Sequence, residues 1–157
     1  KDKEIKKNLR KFNKVMVAEI STSRTQYFKR ICNFIKQNRG IFITIDYGYI
    51  NPPNYLTLQS IYNHKKSHLF ENIGNQDITS HVNFHELIDI ANKCNLNLDL
   101  YCSQKEFLIS NGIQKRKIKL QQNKNKELIE SLNLQYERLT NSSEMGEIFK
   151  VLVISCL

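Results

Sequence analysis

The sequence predicts an α/β fold, in which helices cover a sheet on both faces. The first observation is an apolar run at residues 41–48, which is typical of a strand buried on both faces of a parallel sheet. The second is a helical repeat of apolar side chains at residues 27–35, so that a helix leads directly into that strand, as in half of a βαβ unit. The third is an apolar stretch at residues 148–154, which we interpret as a final strand.

Two expected elements precede the first amphipathic helix. Residues 1–14 form a basic segment with a helical apolar stripe, and residues 15–20 form a short strand or an extended lead-in. Ser21 is a good N-cap for the helix that the pattern predicts from Arg24 onward. Gly40 stands just past this helix as a stop signal.

A long irregular region is expected between residues 49 and 80. Pro52 and Pro53 interrupt regular structure near its start. A connection of this length in a compact domain is usually a lid, a binding loop or a disordered segment. The pattern leaves room for one short helix in this region, around residues 57–62.

The second half of the chain carries clearer signals. Asn83 and Glu86 have the spacing of an N-cap and its N3 partner, so a helix begins there. Residues 96–100 alternate apolar and polar side chains, as a strand does. Ser103 and Glu106 repeat the capping spacing and open a short helix. The remaining expected elements are a helix stop at Gly112, a helix over residues 128–139 and the final strand.

Length and composition bound the class of protein. With 157 residues and 40% hydrophobic content, the chain is long enough for one domain or for part of a larger one. No apolar run approaches the ~20 residues of a membrane span, so we expect no membrane insertion. The four cysteines form no C-x-x-C pair, which favours small core residues in a reducing compartment over a zinc or disulfide framework.

The formal net charge of +9 suits an acidic partner, whether nucleic acid, an anionic membrane or an acidic protein. The local excess of lysine and arginine is highest in residues 1–14 and 115–126. No aromatic residues interleave with the second cluster, as a binder of single-stranded nucleic acid would require. We therefore favour ordinary solvated surfaces over nucleic-acid binding.

Several kinds of site are not indicated by the sequence. The five glycines never have the spacing of a phosphate-binding G-x-G-x-x-G or Walker A loop. Two i, i+4 histidine pairs are present, His64 with His68 and His81 with His85, but neither suggests a third ligand, which disfavours a metal site. No Ser/His/Asp or Cys/His arrangement is signalled.

Asp46, Tyr47 and Gly48 end the predicted strand. In open α/β sheets ligands bind beyond the carboxyl ends of the strands, which makes this triplet a site candidate. The competing interpretation is that Asp46 caps a turn and Tyr47 fills the edge of the core, and spacing alone favours it. The polar run at residues 77–81 is a second candidate, which either lines a cleft beside Asp46 or bonds to nearby amides as loop residues do.

Several short motifs follow one another in a fixed order: Glu19-Ile20-Ser21, Ile45-Asp46-Tyr47-Gly48-Tyr49, Thr57-Leu58-Gln59 with His64, Gly74 with Asp77-Ile78-Thr79, His81-Val82 with Phe84, Gln104 with Phe107-Leu108, Gly112-Ile113, and Met145-Gly146 with Phe149-Lys150-Val151-Leu152. Taken in order, they resemble the C-terminal half of the MidA family of S-adenosylmethionine-dependent methyltransferases. Each motif alone is weak, but the ordered set is specific. Asn83 stands where the family has aspartate, and Ile73 where it has proline.

The resemblance implies a partial class I, Rossmann-like methyltransferase sheet with flanking helices and with its first half absent. Residues 1–157 would then be the C-terminal part of a single methyltransferase domain. S-adenosylmethionine would bind the complete protein and not this chain alone, because the family's glycine-rich motif lies upstream of the matched stretches. The substrate-side candidates that follow are Asp46, Tyr47, Gly48, His64, Asp77, Thr79 and His81.

The resemblance further implies a protein substrate. The mitochondrial member of the family methylates an arginine of a complex I subunit, so the expected location is the bacterial cytoplasm or, in a eukaryote, the mitochondrial matrix. We expect the isolated chain to be inactive and to pair with the missing half or with itself, because an incomplete sheet exposes an apolar edge and face. The alternative hypothesis is a non-enzymatic basic module that binds nucleic acid or an acidic protein.

Overall fold

The computed structural model of the protein describes residues 18–157. The basic segment at residues 1–14 lies outside them, and of the strand expected at 15–20 only residues 18–20 are described, which belong to no strand. The helices are α1 Thr22–Asn38, α2 Phe84–Lys93, α3 Gln104–Ser110, α4 Ile113–Gln121, α5 Lys126–Thr140 and α6 Met145–Ile148. The strands are β1 Ile41–Tyr49, β2 Gln59–Tyr62, β3 Lys65–Ser67, β4 Asp77–Thr79, β5 Val82–Asn83, β6 Asn97–Ser103 and β7 Phe149–Ser155.

The main sheet has four strands in the order β5-β1-β7-β6. Its last strand, β7, lies antiparallel between β1 and β6, with Ile43 opposite Val153 and Val153 opposite Leu100. The short strand β5 runs parallel to β1 and pairs with it only at Gly48 and Tyr49. The predicted α/β fold is therefore confirmed. The sheet is mixed rather than parallel, because β7 begins beside the carboxyl end of β1 and runs back along it in the opposite direction.

Strand β1 is buried on one face only within residues 18–157. Phe42 packs against the core, and its ring centroid lies 6.0 Å from that of Phe28 on α1. On the opposite face Ile41, Ile43 and Ile45 are 56%, 53% and 44% exposed. The prediction of a strand buried on both faces is wrong for this part of the chain, because α1 and α2 pack against the same face of the sheet.

The core joins α1 and α2 to β7. The buried apolar side chains of this cluster are Phe28, Cys32 and Ile35 of α1, Phe84, Leu87, Ile90 and Ala91 of α2, Leu96, and Leu152 and Ile154 of β7. The apolar stripe expected on α1 is narrower than predicted, since Tyr27 and Phe34 are 67% and 66% exposed. A helix that meets the sheet along one line buries only the side chains on that line, and these two lie beside it.

The region between residues 49 and 80 contains a second, three-stranded antiparallel sheet in the order β3-β2-β4. The short helix considered around residues 57–62 is not formed, because β2 occupies most of that stretch. Asn63 and His64 connect β2 to β3 with φ angles of 49° and 62°. Two consecutive residues with positive φ are what a tight two-residue hairpin turn needs, so the turn selects strands over a helix.

Helix caps lie where the sequence predicts them. The side chain of Asn83 accepts a hydrogen bond from the Glu86 N–H, and Ser103 and Glu106 form a complete capping box. Helix α4 was not expected, since its apolar residues are few and its sequence is dominated by lysine and glutamine. None of the helices in residues 18–157 combines the length and apolar composition needed to cross a membrane.

Candidate functional site

The carboxyl end of β1 brings together two of the predicted site residues. The ring of Tyr47 meets the imidazole of His81 edge-on, with centroids 5.5 Å apart. On its other side the same ring meets Phe149 of β7, also at 5.5 Å and nearly perpendicular. Tyr47 thus joins the end of the main sheet to the segment that precedes β5, and edge-to-face contacts of this kind fix the orientation of both rings.

Asp46 and Gly48 have local structural roles. The Oδ1 atom of Asp46 accepts the backbone N–H of Tyr47 at 2.9 Å. The interpretation of Asp46 as the cap of a turn is wrong, because Asp46 lies within β1 and pairs with Lys150 of β7. A Cβ atom on Gly48 would lie 2.2 Å from the carbonyl oxygen of Val82 and 2.8 Å from the Phe84 ring. Glycine is therefore required at position 48, because β5 and the start of α2 lie directly against β1 there.

A carboxylate that was not among the predicted site residues organises this region. Glu19 Oε1 accepts the backbone N–H groups of Thr57 and Leu58 at 2.8 and 2.7 Å, and Oε2 accepts the Thr57 hydroxyl. The Thr57 oxygen in turn accepts the backbone N–H of His81 at 2.9 Å. The chain of bonds fixes the segment before α1, the segment before β2 and the segment before β5 relative to each other.

The signal for this network was present in the sequence as two separate motifs. Glu19 belongs to the E-x-S stretch and Thr57 to the T-L-Q stretch, which were matched individually. Nothing in their spacing indicates that they form hydrogen bonds to each other, because they are 38 residues apart and the intervening β1 brings them together.

An arginine and a glutamate extend the same region. Arg24 Nη1 donates to the carbonyl oxygen of His81 at 3.5 Å, and Nη2 lies 3.8 Å from Glu86 Oε2. The other carboxylate oxygen of Glu86 accepts the Thr25 hydroxyl at 2.5 Å. The Nε atom of Arg24 is buried and has no hydrogen-bond partner among the described residues. Burial, together with the nearby Glu19 carboxylate, raises the pKa of the Tyr49 phenol.

A cavity of about 310 Å³ opens beside these groups. Its lining residues are Ala18, Glu19, Ile20, Ser21, Arg24, Leu56, Leu58 and Ser80. The walls are mainly apolar, with one carboxylate and one guanidinium, so the cavity suits a mostly apolar group that carries a polar or charged end.

The remaining predicted residues lie on the small sheet. His64 is exposed in the turn between β2 and β3, and Asp77 is exposed on β4 opposite Ile61. Thr79 also lies on β4, and its hydroxyl is buried without a hydrogen-bond partner among residues 18–157. Within the described part of the chain the seven candidates do not form one cluster: apart from the consecutive residues Asp46, Tyr47 and Gly48 on β1, the contact described is that between Tyr47 and His81. Among residues 18–157, no His, Cys, Asp and Glu side chains are grouped as a metal site requires.

Two crystal structures from Burkholderia thailandensis show the same fold. One is a native structure, with 23% sequence identity and a TM-score of 0.85, and the match covers 96% of this chain and 43% of that one. The other is described as a "likely methyl transferase" bound to S-adenosyl-homocysteine, with 23% identity and a TM-score of 0.84, over 96% of this chain and 41% of that one. The chain thus spans less than half the length of either protein. The likeness confirms the methyltransferase-like α/β fold.

The sequence itself matches one protein family. No curated protein sequence shows a significant match. Residues 2–102, which are more than half of the chain, match the family described as "Putative S-adenosyl-L-methionine-dependent methyltransferase". The match spans α1, β1, the small sheet, α2 and nearly all of β6, and therefore every residue of the region described above except Phe149. The chain belongs to this family of S-adenosyl-L-methionine-dependent methyltransferases.

Proposed function

We propose that this chain is the substrate-side part of a MidA-like protein methyltransferase, whose methyl donor is held by further sheet strands outside this sequence. The observation that carries the proposal is how much of the solved relatives the chain covers. The match spans 96% of this chain, yet it accounts for only 41–43% of those relatives, so they contain further structure that this sequence does not match.

The edge of β1 is where the additional strands would dock. Within residues 18–157, β1 pairs along its length with β7, but its other edge is paired only at Gly48 and Tyr49. On one face of β1, Ile41, Ile43 and Ile45 form an exposed apolar row that adjoins this edge. An unpaired edge next to exposed isoleucines is a surface that a soluble protein normally covers. A strand that continues the direction of β5 would pair with this edge in parallel.

The residues described here do not provide a donor site of the usual kind. S-adenosylmethionine supplies an electrophilic methyl group when it is bound, and folds of this class hold their cofactor at a glycine-rich turn after a strand. At the end of β1 the space beside Gly48 is filled by Val82 and Phe84, so that glycine serves chain packing and leaves no room for a ligand. We therefore assign S-adenosylmethionine to the complete protein.

The region around Tyr47, His81 and the cavity would place the substrate. We infer that the substrate is an arginine of a protein, such as a respiratory complex I subunit in the mitochondrial matrix or the bacterial cytoplasm. This finer assignment rests on the MidA resemblance. The apolar walls of the cavity support it, because they suit the aliphatic stem of an arginine, whereas both Glu19 oxygens already accept hydrogen bonds from Thr57 and Leu58.

The test is calorimetry followed by a methyl-transfer assay. S-adenosylmethionine is titrated into this chain alone, and then into the chain mixed with the portion of the Burkholderia thailandensis protein that it does not match. We expect no heat of binding for the chain alone and saturable binding for the mixture, with radioactive methyl transfer to an arginine-containing protein. Tight binding by this chain alone would overturn the proposed division of the sheet. Binding by the mixture with methyl transfer only to lysine or carboxylate groups would overturn the arginine assignment.

A further inference from the structure

A second feature, remote from Tyr47 and His81, is the helical hairpin formed by α4 and α5, which we call the basic hairpin. Residues 113–126 contain six cations and no acidic residue: Lys115, Arg116, Lys117, Lys119, Lys124 and Lys126. Lys117 lies over the Tyr136 ring at 4.2 Å, and Lys126 is 3.8 Å from Glu130. The other four cations make no ion pair within residues 18–157. Their charge is therefore available to a partner.

The same hairpin exposes apolar side chains. Helix α4 has no buried residue, and its Ile118 and Leu120 are 54% and 43% exposed. Between α4 and α5 lies a cavity of about 150 Å³ whose apolar walls include Ile113, Leu120, Leu132 and Leu139. A cavity of roughly this volume accommodates a benzene-sized group. Arg116 and Lys117 also line it, so apolar and cationic groups share one opening.

We propose that the basic hairpin binds an acidic, amphipathic segment of a partner protein. One apolar side chain of that segment inserts between α4 and α5, and its carboxylates face Arg116 and its neighbouring lysines. A helix that lays an apolar anchor into a groove obtains most of its affinity from that anchor. Complementary charge around the groove adds specificity and a faster association rate. This binding surface goes beyond the proposed methyl transfer and does not depend on it.

Charge alone would also suit RNA, but the hairpin is a poor platform for bases. A protein that binds single-stranded nucleic acid presents aromatic rings on which bases stack. The only aromatic ring in residues 113–140 is that of Tyr136, and the Lys117 ammonium group already lies over it. A phosphate backbone, by contrast, offers no apolar side chain that would fill the cavity between α4 and α5. The combination therefore favours an acidic protein segment.

The test uses the full chain and a fluorescein-labelled synthetic helical peptide that carries glutamate on one face and leucine on the other. Fluorescence anisotropy should show saturable binding that weakens as sodium chloride is raised. Arg116→Glu should weaken binding about tenfold or more, whereas Lys29→Glu, an equal charge change at an exposed position of α1, should leave it nearly unchanged. Leu120→Ser should weaken binding more than Leu134→Ser, because Leu134 does not line the cavity.

Circular dichroism establishes that each variant folds. A peptide with serine in place of every leucine should bind at least about tenfold more weakly. The proposal would be overturned if the serine peptide bound as tightly as the leucine peptide. Equal losses of affinity for Arg116→Glu and Lys29→Glu would also overturn it. Tighter, Arg116-dependent binding of poly(U) RNA or of phosphatidylserine vesicles would overturn it in favour of those partners.

Discussion

Glu19 and Thr57 are 38 residues apart in the chain, and the Oε1 atom of Glu19 accepts the Thr57 backbone N–H at 2.8 Å. The same carboxylate also accepts the Leu58 N–H and the Thr57 hydroxyl. Thr57 is 5% exposed, so its N–H and hydroxyl donors have little access to water. One side chain therefore satisfies three donors of a segment that leads into the small sheet, and it fixes the position of His81 through the Thr57 oxygen.

The first prediction concerns this carboxylate. Glu19→Ala should lower the free energy of unfolding by about 2–3 kcal/mol, because it leaves partly buried donors without an acceptor. Glu19→Gln should cost less, since the amide oxygen still accepts two of these bonds. Urea unfolding followed by circular dichroism measures both changes. Equal stability of Glu19→Ala and the parent protein would show that the network contributes nothing to the fold.

The second prediction uses two glycines as a matched pair. Gly48→Ala should destabilise the protein by about 3 kcal/mol or more, because its Cβ would lie 2.2 Å from the backbone oxygen of Val82, which cannot rotate away. Gly40→Ala should change stability by less than about 0.5 kcal/mol, since no atom lies within 4 Å of the added methyl group. Thermal melts compare the two variants, and a similar melting temperature for both would contradict the close approach of Val82 to Gly48.

The third prediction is a pH dependence. Burial in the core, reinforced by neighbouring Cys94, raises the pKa of the Cys32 thiol from its ordinary value of 9.0 to about 12. Between these values the unfolded chain loses the thiol proton while the folded protein keeps it. Stability should therefore fall as pH rises above about 9, by at most about 1.4 kcal/mol per pH unit from this group.

Cys32→Ala provides the control for this slope. The variant lacks the thiol, so its free energy of unfolding should fall less steeply between pH 9 and 11 than that of the parent protein. Lysines and tyrosines titrate in the same range in both proteins, and the comparison removes their contribution. If the free energies of unfolding of the two proteins changed in parallel with pH, the Cys32 thiol would titrate alike in the folded and unfolded chains.

The fourth prediction concerns the exposed row on β1. Ile43 is 53% exposed at the centre of that row, opposite half-buried Val153 on β7. Ile43→Lys should reduce self-association of the isolated chain, because a charged side chain on the open face disfavours contact between two such sheets. Size-exclusion chromatography with light scattering measures the change. The control is Ile109→Lys, at an exposed isoleucine on α3, which should leave self-association unchanged. A parent protein that is already monomeric would refute the prediction.

Part of the fold follows from local sequence. The periodicities that predicted α1, β1, α2, α5 and β7 are properties of short segments, and the structure contains all five elements. Asn83 and Ser103 cap their helices as their spacing predicts, because a cap needs only side chains three residues apart. The two rings that meet at the site, Tyr47 and His81, were both identified as candidates.

Other features could not be predicted in this way. The strands β2, β3 and β4 are three or four residues long and carry too few residues for alternation to be recognised. Helix α4 has a weak apolar pattern, because it packs mainly against α5 and leaves its cations in water. Burial of β1 on a single face depends on which helices cover the sheet, and its own composition carries no information about them.

The sequence by itself determined the principal helices and strands and the caps at Asn83 and Ser103, since these depend on residues close together in the chain. It also determined the family, through matches along residues 2–102. The tertiary structure alone decided which distant groups meet. It placed the Glu19 carboxylate against Thr57 and Leu58, set the rings of Tyr47 and His81 in contact, and left one row of isoleucines uncovered. The physical reason is that hydrogen bonds and ring contacts require atoms within a few ångströms, and chain topology sets those distances for residues far apart in sequence.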